Sequence, residues 1–157
     1  MRAMTVVAMR GEQGPVPLRL VAEMEDISAQ YLEQIFMDLR RAKLVSGQRG
    51  AKGGYTLARP AETITAGDVV RAVEGPIRLV DCDHAGGCER VHVCATRELW
   101  NKVSESMRQV MDGATLQDLA TWARAKSQLW DNSPTRDNSP TREKRLQRED
   151  LTCGKST

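Results

Sequence analysis

Residues 2–10, RAMTVVAMR, carry apolar side chains at a spacing that predicts a short helix, and Gly11 to Pro15 break it. Pro17 suits a first helical turn, with Leu18, Leu20, Val21 and Met24 as the face expected to be buried. Glu25-Asp26-Ile27 then turns the chain into another helix. Ser28 is placed to cap it with its hydroxyl. Leu32, Ile35, Phe36 and Leu39 follow at i, i+3, i+4 and i+7, a single apolar stripe. Gln30, Tyr31, Glu33, Gln34 and Asp38 occupy the opposite face, and all can hydrogen-bond to something outside the protein.

Past Lys43 the period changes. Leu44-Val45 and Tyr55-Thr56-Leu57 read as two short strands, joined by a hairpin over Gly47–Gly54. Thr65-Ala66-Gly67-Asp68 opens the next helix as a capping box, with Asp where Glu or Gln is usual. Val69, Val70 and Val73 line it, and Gly75-Pro76 ends it. Residues 81–94, DCDHAGGCERVHVC, lack a periodic apolar pattern and read as a loop. A longer helix is predicted over residues 95–112, with Leu99, Val103, Met107 and Val110 on one flank and Trp100 and Met111 beside it. A helix that long and that apolar calls for a partner, and the same helix of a second subunit is the expected one. Thr115-Leu116-Gln117-Asp118 starts a last helix reaching Ser127, with Leu119, Ala120 and Ala123 inward.

The predicted order is helix, turn, helix, hairpin, then a long helix. This is a mainly α fold with one small β-hairpin, a winged helix-turn-helix joined to a dimerisation helix. Residues 1–76 are expected to form the DNA-binding domain, 77–95 a cysteine loop and 96–127 the dimerisation helices. Residues 128–157 are expected to form a disordered tail, because DNSPTR repeats at 131–136 and 137–142 and a polar, aperiodic stretch follows.

Charge sharpens this picture. The 157 residues carry a net charge of only +2, so the chain is not globally basic. Yet from Arg40 to Arg59 there are six basic residues (Arg40, Arg41, Lys43, Arg49, Lys52 and Arg59) and no acidic one. A solvated helix and an ordinary surface hairpin would need no such run. A polar helix face beside a basic hairpin suits double-stranded DNA, with the helix in the major groove and a wing arginine in the minor groove. No apolar run approaches the roughly 20 residues of a membrane span. Neither an export signal nor a membrane contact is expected, and the protein is expected to be cytoplasmic.

Cys82, Cys88 and Cys94 form a Cys-x5-Cys-x5-Cys array, while Cys153 lies in the tail. Thiolates are soft ligands for iron–sulfur clusters, zinc or copper(I). Structural zinc sites favour shorter spacings, so two x5 gaps around Gly86-Gly87 suit a larger object. The alternative is three buried structural thiols, but the loop offers little apolar surface to bury them. His84 and His92 share the loop, as ligands, as donors behind the ligands or as plain surface residues. The residues offer no nucleophile–base pair, phosphate-binding glycine loop or Cys-x-x-Cys motif, so an enzyme is not expected.

Three features coincide: Tyr31-Leu32-Glu33-Gln34, the wing from Arg49 to Pro60, and the cysteine array followed by Glu98-Leu99-Trp100. Together they resemble the bacterial winged-helix repressors of the Rrf type over residues 2–127, most closely the iron–sulfur regulators of the IscR kind, with NsrR-like relatives. The resemblance implies a homodimer on near-palindromic operators and a [2Fe–2S] cluster on Cys82, Cys88 and Cys94 of each subunit. It implies DNA contacts from Tyr31, Glu33, Gln34 and Arg49, to which the capped polar helix and the basic run add Ser28, Gln30, Arg40 and Lys52 as expected contacts. Among these, Glu33 would discriminate between operators and Arg49 would enter the minor groove. The apolar flank of the long helix gives the expected dimer interface, Leu99, Trp100, Val103, Met107 and Val110. Control of cluster-assembly genes is the implied role. The alternatives are a winged-helix repressor sensing thiol oxidation, nitric oxide or zinc, and, further off, a cluster carrier or redox enzyme.

Two departures from the family pattern stand out. Where IscR-like proteins carry a histidine ligand three residues after the third cysteine, this chain has Arg97. A guanidinium stays protonated and does not ligate iron. His84, His92 or an acidic side chain from either subunit are the candidates for a fourth ligand. Family members also usually begin earlier, with a basic segment leading into the first helix. Part of the DNA-contacting surface is therefore expected to be absent or encoded upstream of Met1.

Overall fold

The computed structural model describes residues 1–50, 53–80, 82 and 88–131. The predicted helices form where the pattern placed them. They are α1 (Arg2–Arg10), α2 (Leu18–Glu25), α3 (Ala29–Arg41), α4 (Ala66–Glu74), α5 (Arg97–Gly113) and α6 (Leu116–Asp131). Single 3-10 turns lie at Gly11–Gln13 and Ala61–Thr63. The wing is one antiparallel pair, β1 (Val45–Gln48) and β2 (Gly54–Leu57), in the register Val45 to Leu57 through Gln48 to Gly54. The chain divides into two compact units, Met1–Ala123 and Arg124–Thr157. Of the second, only the last turns of α6 lie within the described residues, so the expectation of a disordered tail falls outside them. α6 itself continues four residues past the predicted end at Ser127.

The core of the first unit is drawn from α1 to α4, the wing and the start of α6, with no contribution from α5. Met4 and Val7 of α1, Val21 of α2, and Leu32, Phe36 and Leu39 of α3 are buried with Leu44, Val45, Ile64, Val69 and Leu116. Phe36 packs on Tyr55 of β2, with ring centroids 4.8 Å apart and planes tilted by 58°. Such tilted aromatic pairs add to simple area burial, and this one fixes the wing against α3. Met24 departs from expectation. It is 47% exposed, because α2 is short and its C-cap Asp26 turns left-handed (φ 55°) before a third buried turn can form.

A connection absent from the periodicity joins the wing to the start of α2. Val16 and Tyr55 exchange two backbone hydrogen bonds, each 2.9 Å, in an isolated bridge on the far edge of β2. Gly54 makes this possible. A Cβ there would overlap the Val16 carbonyl and lie 2.7 Å from the Pro17 nitrogen. Pro15 and Pro17 flank the bridge, positions where a missing N–H costs no ladder hydrogen bond.

Two capping boxes meet at the other side of the unit. Thr65 accepts from the Asp68 N–H at 3.0 Å, and Asp68 accepts from the Thr65 N–H at 3.3 Å. Thr115 and Asp118 repeat the arrangement at 3.1 Å and 2.9 Å. The two caps are stitched together by Ala66 N–H to Ala114 O and Leu116 N–H to Ile64 O, both 2.8 Å. The start of α4 is thereby held to the junction of α5 and α6.

Candidate nucleic-acid interface and thiol loop

Ser28 caps α3 as its sequence position predicts, accepting from the Tyr31 N–H at 3.2 Å. With Leu32, Phe36 and Leu39 inward, Gln30, Tyr31, Glu33 and Gln34 are exposed along one face, Tyr31 at 57%. Asp38 belongs to this face only in part. It is half-buried, and its carboxylate accepts from Arg41 Nη1 at 2.8 Å. Ser28, Gln30, Tyr31, Glu33, Gln34 and Arg40 thus share one helix and its cap, all exposed. Arg49 follows β1 at the wing tip and is exposed, while Lys52 lies outside the described residues.

The basic run separates into two kinds of residue. Arg41 is neutralised by Asp38, and Arg59 by Asp68 at 3.2 Å. No ion pair among the described residues engages Arg40, Lys43 or Arg49. These three are therefore available to phosphate or base edges, whereas Arg41 and Arg59 hold structure. Counting charges along the sequence could not make this division, because Asp68 lies nine residues from Arg59 on another element.

The thiol loop enters α5. Cys82 and Cys94 are half-buried, Cys88 is exposed, and all three are free thiols. From Cys88 the backbone runs through successive turns, with Val91 N–H to Cys88 O and Val93 N–H to Arg90 O both at 3.0 Å. Cys94 Sγ lies 3.3 Å from Thr96 Oγ1. That hydroxyl, then the backbone N–H groups of Thr96 and Arg97, hold the Cys94 thiol below its ordinary range and favour the thiolate. His92 is exposed, and His84 lies outside the described residues. Among the described residues no three His, Cys, Asp or Glu side chains are gathered closely enough to hold a metal ion. In kind the donors suit an iron–sulfur cluster, since three unpaired thiols are present in one loop and one is biased toward thiolate.

Beyond the loop, α5 presents its apolar flank outward. Leu99 is 56% exposed and Val110 73%, Trp100 is exposed, and Val103 and Met107 are half-buried. Ser104 is the one fully buried residue on this helix, and its Oγ accepts from the Leu79 N–H at 3.2 Å.

The chain is similar to known proteins in family, sequence and fold. Residues 1–121 match the Rrf2 family, described as an iron-dependent transcriptional regulator. The HTH-type transcriptional regulator IscR of Klebsiella pneumoniae (strain 342) is 41% identical over 117 residues, covering 74% of this chain and 72% of that protein. CymR, the global cysteine regulator of B. subtilis, superimposes with a TM-score of 0.64 at 39% identity, covering 76% of this chain and 88% of that one. IscR of T. potens does so with a TM-score of 0.62 at 38% identity, over 78% and 80% of the two chains.

Proposed function

The chain belongs to the Rrf2 family of DNA-binding transcriptional regulators rather than to any class of enzyme, and we propose that it is an iron–sulfur-sensing repressor that binds its operator as a homodimer. The observation that carries this reading is the placement of three free thiols on the segment leading into α5, in a protein whose recognition helix and wing tip stand exposed.

On this reading α3 enters the major groove. Gln30, Tyr31 and Gln34 offer hydrogen bonds to base edges, and Glu33 accepts from cytosine amino groups while repelling phosphate on misaligned sequences. Arg49 reaches the adjacent minor groove from the wing, and Arg40 and Lys43 contact the backbone. Two such units are needed, because one patch with Arg40, Lys43 and Arg49 as its free cations among the described residues, on a chain of net charge +2, gives weak binding. The outward apolar flank of α5 supplies the means. Leu99, Trp100, Val103, Met107 and Val110 would pair with their counterparts in a second copy and set the spacing of half-sites. The location that goes with this role is the cytoplasm.

Cys82, Cys88 and Cys94 would hold a [2Fe–2S] cluster, with the loop drawing their sulfurs together around it. A bound cluster supplies a redox-active, oxygen-sensitive centre whose gain or loss is the signal. Arg97 stands on the first turn of α5, where the IscR-like pattern has its histidine. The fourth ligand then falls to His84, His92, an acidic side chain of either subunit or a small exchangeable molecule. Genes of cluster assembly are the expected targets.

A second reading has its own support. Cys88 is exposed and Cys94 is biased toward thiolate, which also suits direct oxidation of the thiols as the signal. Anaerobic purification separates the two. A cluster protein absorbs in the visible and loses the colour in air, and its affinity for the DNA upstream of its own gene changes with that loss. Colourless protein whose DNA affinity follows the thiol oxidation state instead would replace the first reading by the second.

A further inference from the structure

Arg59 lies two residues past β2, at the root of the wing, and begins a chain of charges that ends on the long helix. Its Nη2 donates to Asp68 Oδ2 at 3.2 Å. Asp68 Oδ1 accepts from Arg71 Nη2 at 3.0 Å, and Arg71 Nη1 reaches Asp112 Oδ1 at 2.8 Å. One guanidinium on α4 is thus forked between two carboxylates, one on its own helix and one on the last turn of α5. The Asp112 and Arg71 side chains meet directly over Gly67. A Cβ at Gly67 would overlap Asp112 Oδ1 and lie 2.9 Å from Arg71 Nη1.

We propose that Arg71 is a positioning residue for DNA binding, which, by bridging Asp68 and Asp112, fixes the wing root to the end of α5 and, together with the contacts of Tyr55 to Phe36 and Val16, sets where Arg49 stands relative to α3. These pairs are partly exposed, and pairs of that kind add little to stability. What they supply is geometry. The backbone clamp between residues 64–66 and 114–116 holds the start of α4, but between that clamp and the wing the chain passes through the single turn Ala61–Thr63. The Arg59–Asp68 contact spans that turn, and Arg71 holds Asp68 in place from the other side. A fork of this kind requires a planar, two-pronged donor, which lysine lacks.

This inference rests on the wing reading of Arg49, and a double-mutant design separates the two. The probe is a duplex selected from a random library by the wild-type protein. Affinities are measured on full-length, cluster-free protein in reducing buffer with chelator, at fixed salt. In the wild-type background Arg49→Ala should weaken binding about tenfold or more. With Arg71→Gln present, the same change should cost less than about threefold, because a misplaced wing has little left to lose. Gln34→Ala, on α3, should cost the same in both backgrounds. Asp112→Asn and Gly67→Ala should reproduce Arg71→Gln, and Arg71→Lys should not restore the wild-type pattern. An Arg49→Ala cost that is equal in every background overturns the positioning role. So does a Gln34→Ala cost that falls along with it, since that marks general loosening. If Arg49→Ala is harmless in the wild type, the wing reading itself fails, and the inference fails with it.

Discussion

Replacing Gly54 with alanine should detach the wing from the body of the protein. The Cβ would overlap the Val16 carbonyl, which is backbone and cannot swing aside as a side chain would. The bridge between Val16 and Tyr55 must open, with loss of two backbone hydrogen bonds of 2.9 Å. At about 1 kcal/mol net for each bond, this removes about 2 kcal/mol. Forcing a methyl into a filled space adds about 1–3 kcal/mol, as Tyr55 is displaced from Phe36 and β2 moves outward. The expected cost is therefore about 3–5 kcal/mol, a large part of the 5–15 kcal/mol typical of a small domain. The thermal midpoint should fall on the order of 10–20 °C for a unit of this size. Urea unfolding gives the free energy directly, and the mobility shift gives the DNA affinity of whatever protein remains folded. Both should decline together. Destabilisation below about 0.5 kcal/mol would refute the reasoning, because surface changes without packing consequences fall in that range.

Arg49→Ala makes the contrasting case, with DNA affinity reduced by about 1–3 kcal/mol and the thermal midpoint unchanged, since Arg49 is exposed and unpaired among the described residues. An affinity equal to wild type at matched salt would remove it from the interface. Acid should loosen the paired helix caps. Burial alone would raise the Asp68 carboxyl, but the Thr65 N–H, Arg71 and Arg59 outweigh it, and Asp118 is held low by the hydroxyl and N–H of Thr115. A carboxylate held low stabilises the fold fully above the ordinary carboxylate range and loses that contribution as pH falls through its lowered value. Asp118→Asn should therefore be destabilising at neutral pH and nearly silent in strong acid, and an equal effect at both would contradict the cap. Cys88→Ala should abolish visible absorbance in anaerobically purified protein. Arg97→His should slow the loss of colour in air, and equal rates would mean that position 97 does not face the cluster.

The amino-acid sequence alone determined the helices, the hairpin and the chemistry each presents. α1 begins and ends where its apolar run does, because a short helix is defined by local spacing and by the glycine that stops it. Ser28, Thr65 and Thr115 cap their helices through contacts within three residues, so the caps were legible without any tertiary information. Leu32, Phe36 and Leu39 went inward and the polar face outward for the same local reason, and the cysteine array carries its donor chemistry in composition and spacing. Contacts between distant segments were decided only by the tertiary structure. No periodicity brings Val16 to Tyr55, Arg71 to Asp112 or the two capping boxes to one another, because those pairings depend on how separate helices pack. Met24 was misplaced because its burial depended on where α2 stops. Arg41 and Arg59 belong to the same basic run, but a count of charge is blind to partners. Folding put a carboxylate beside each, and so left Arg40, Lys43 and Arg49 as the described cations of the run free to meet DNA.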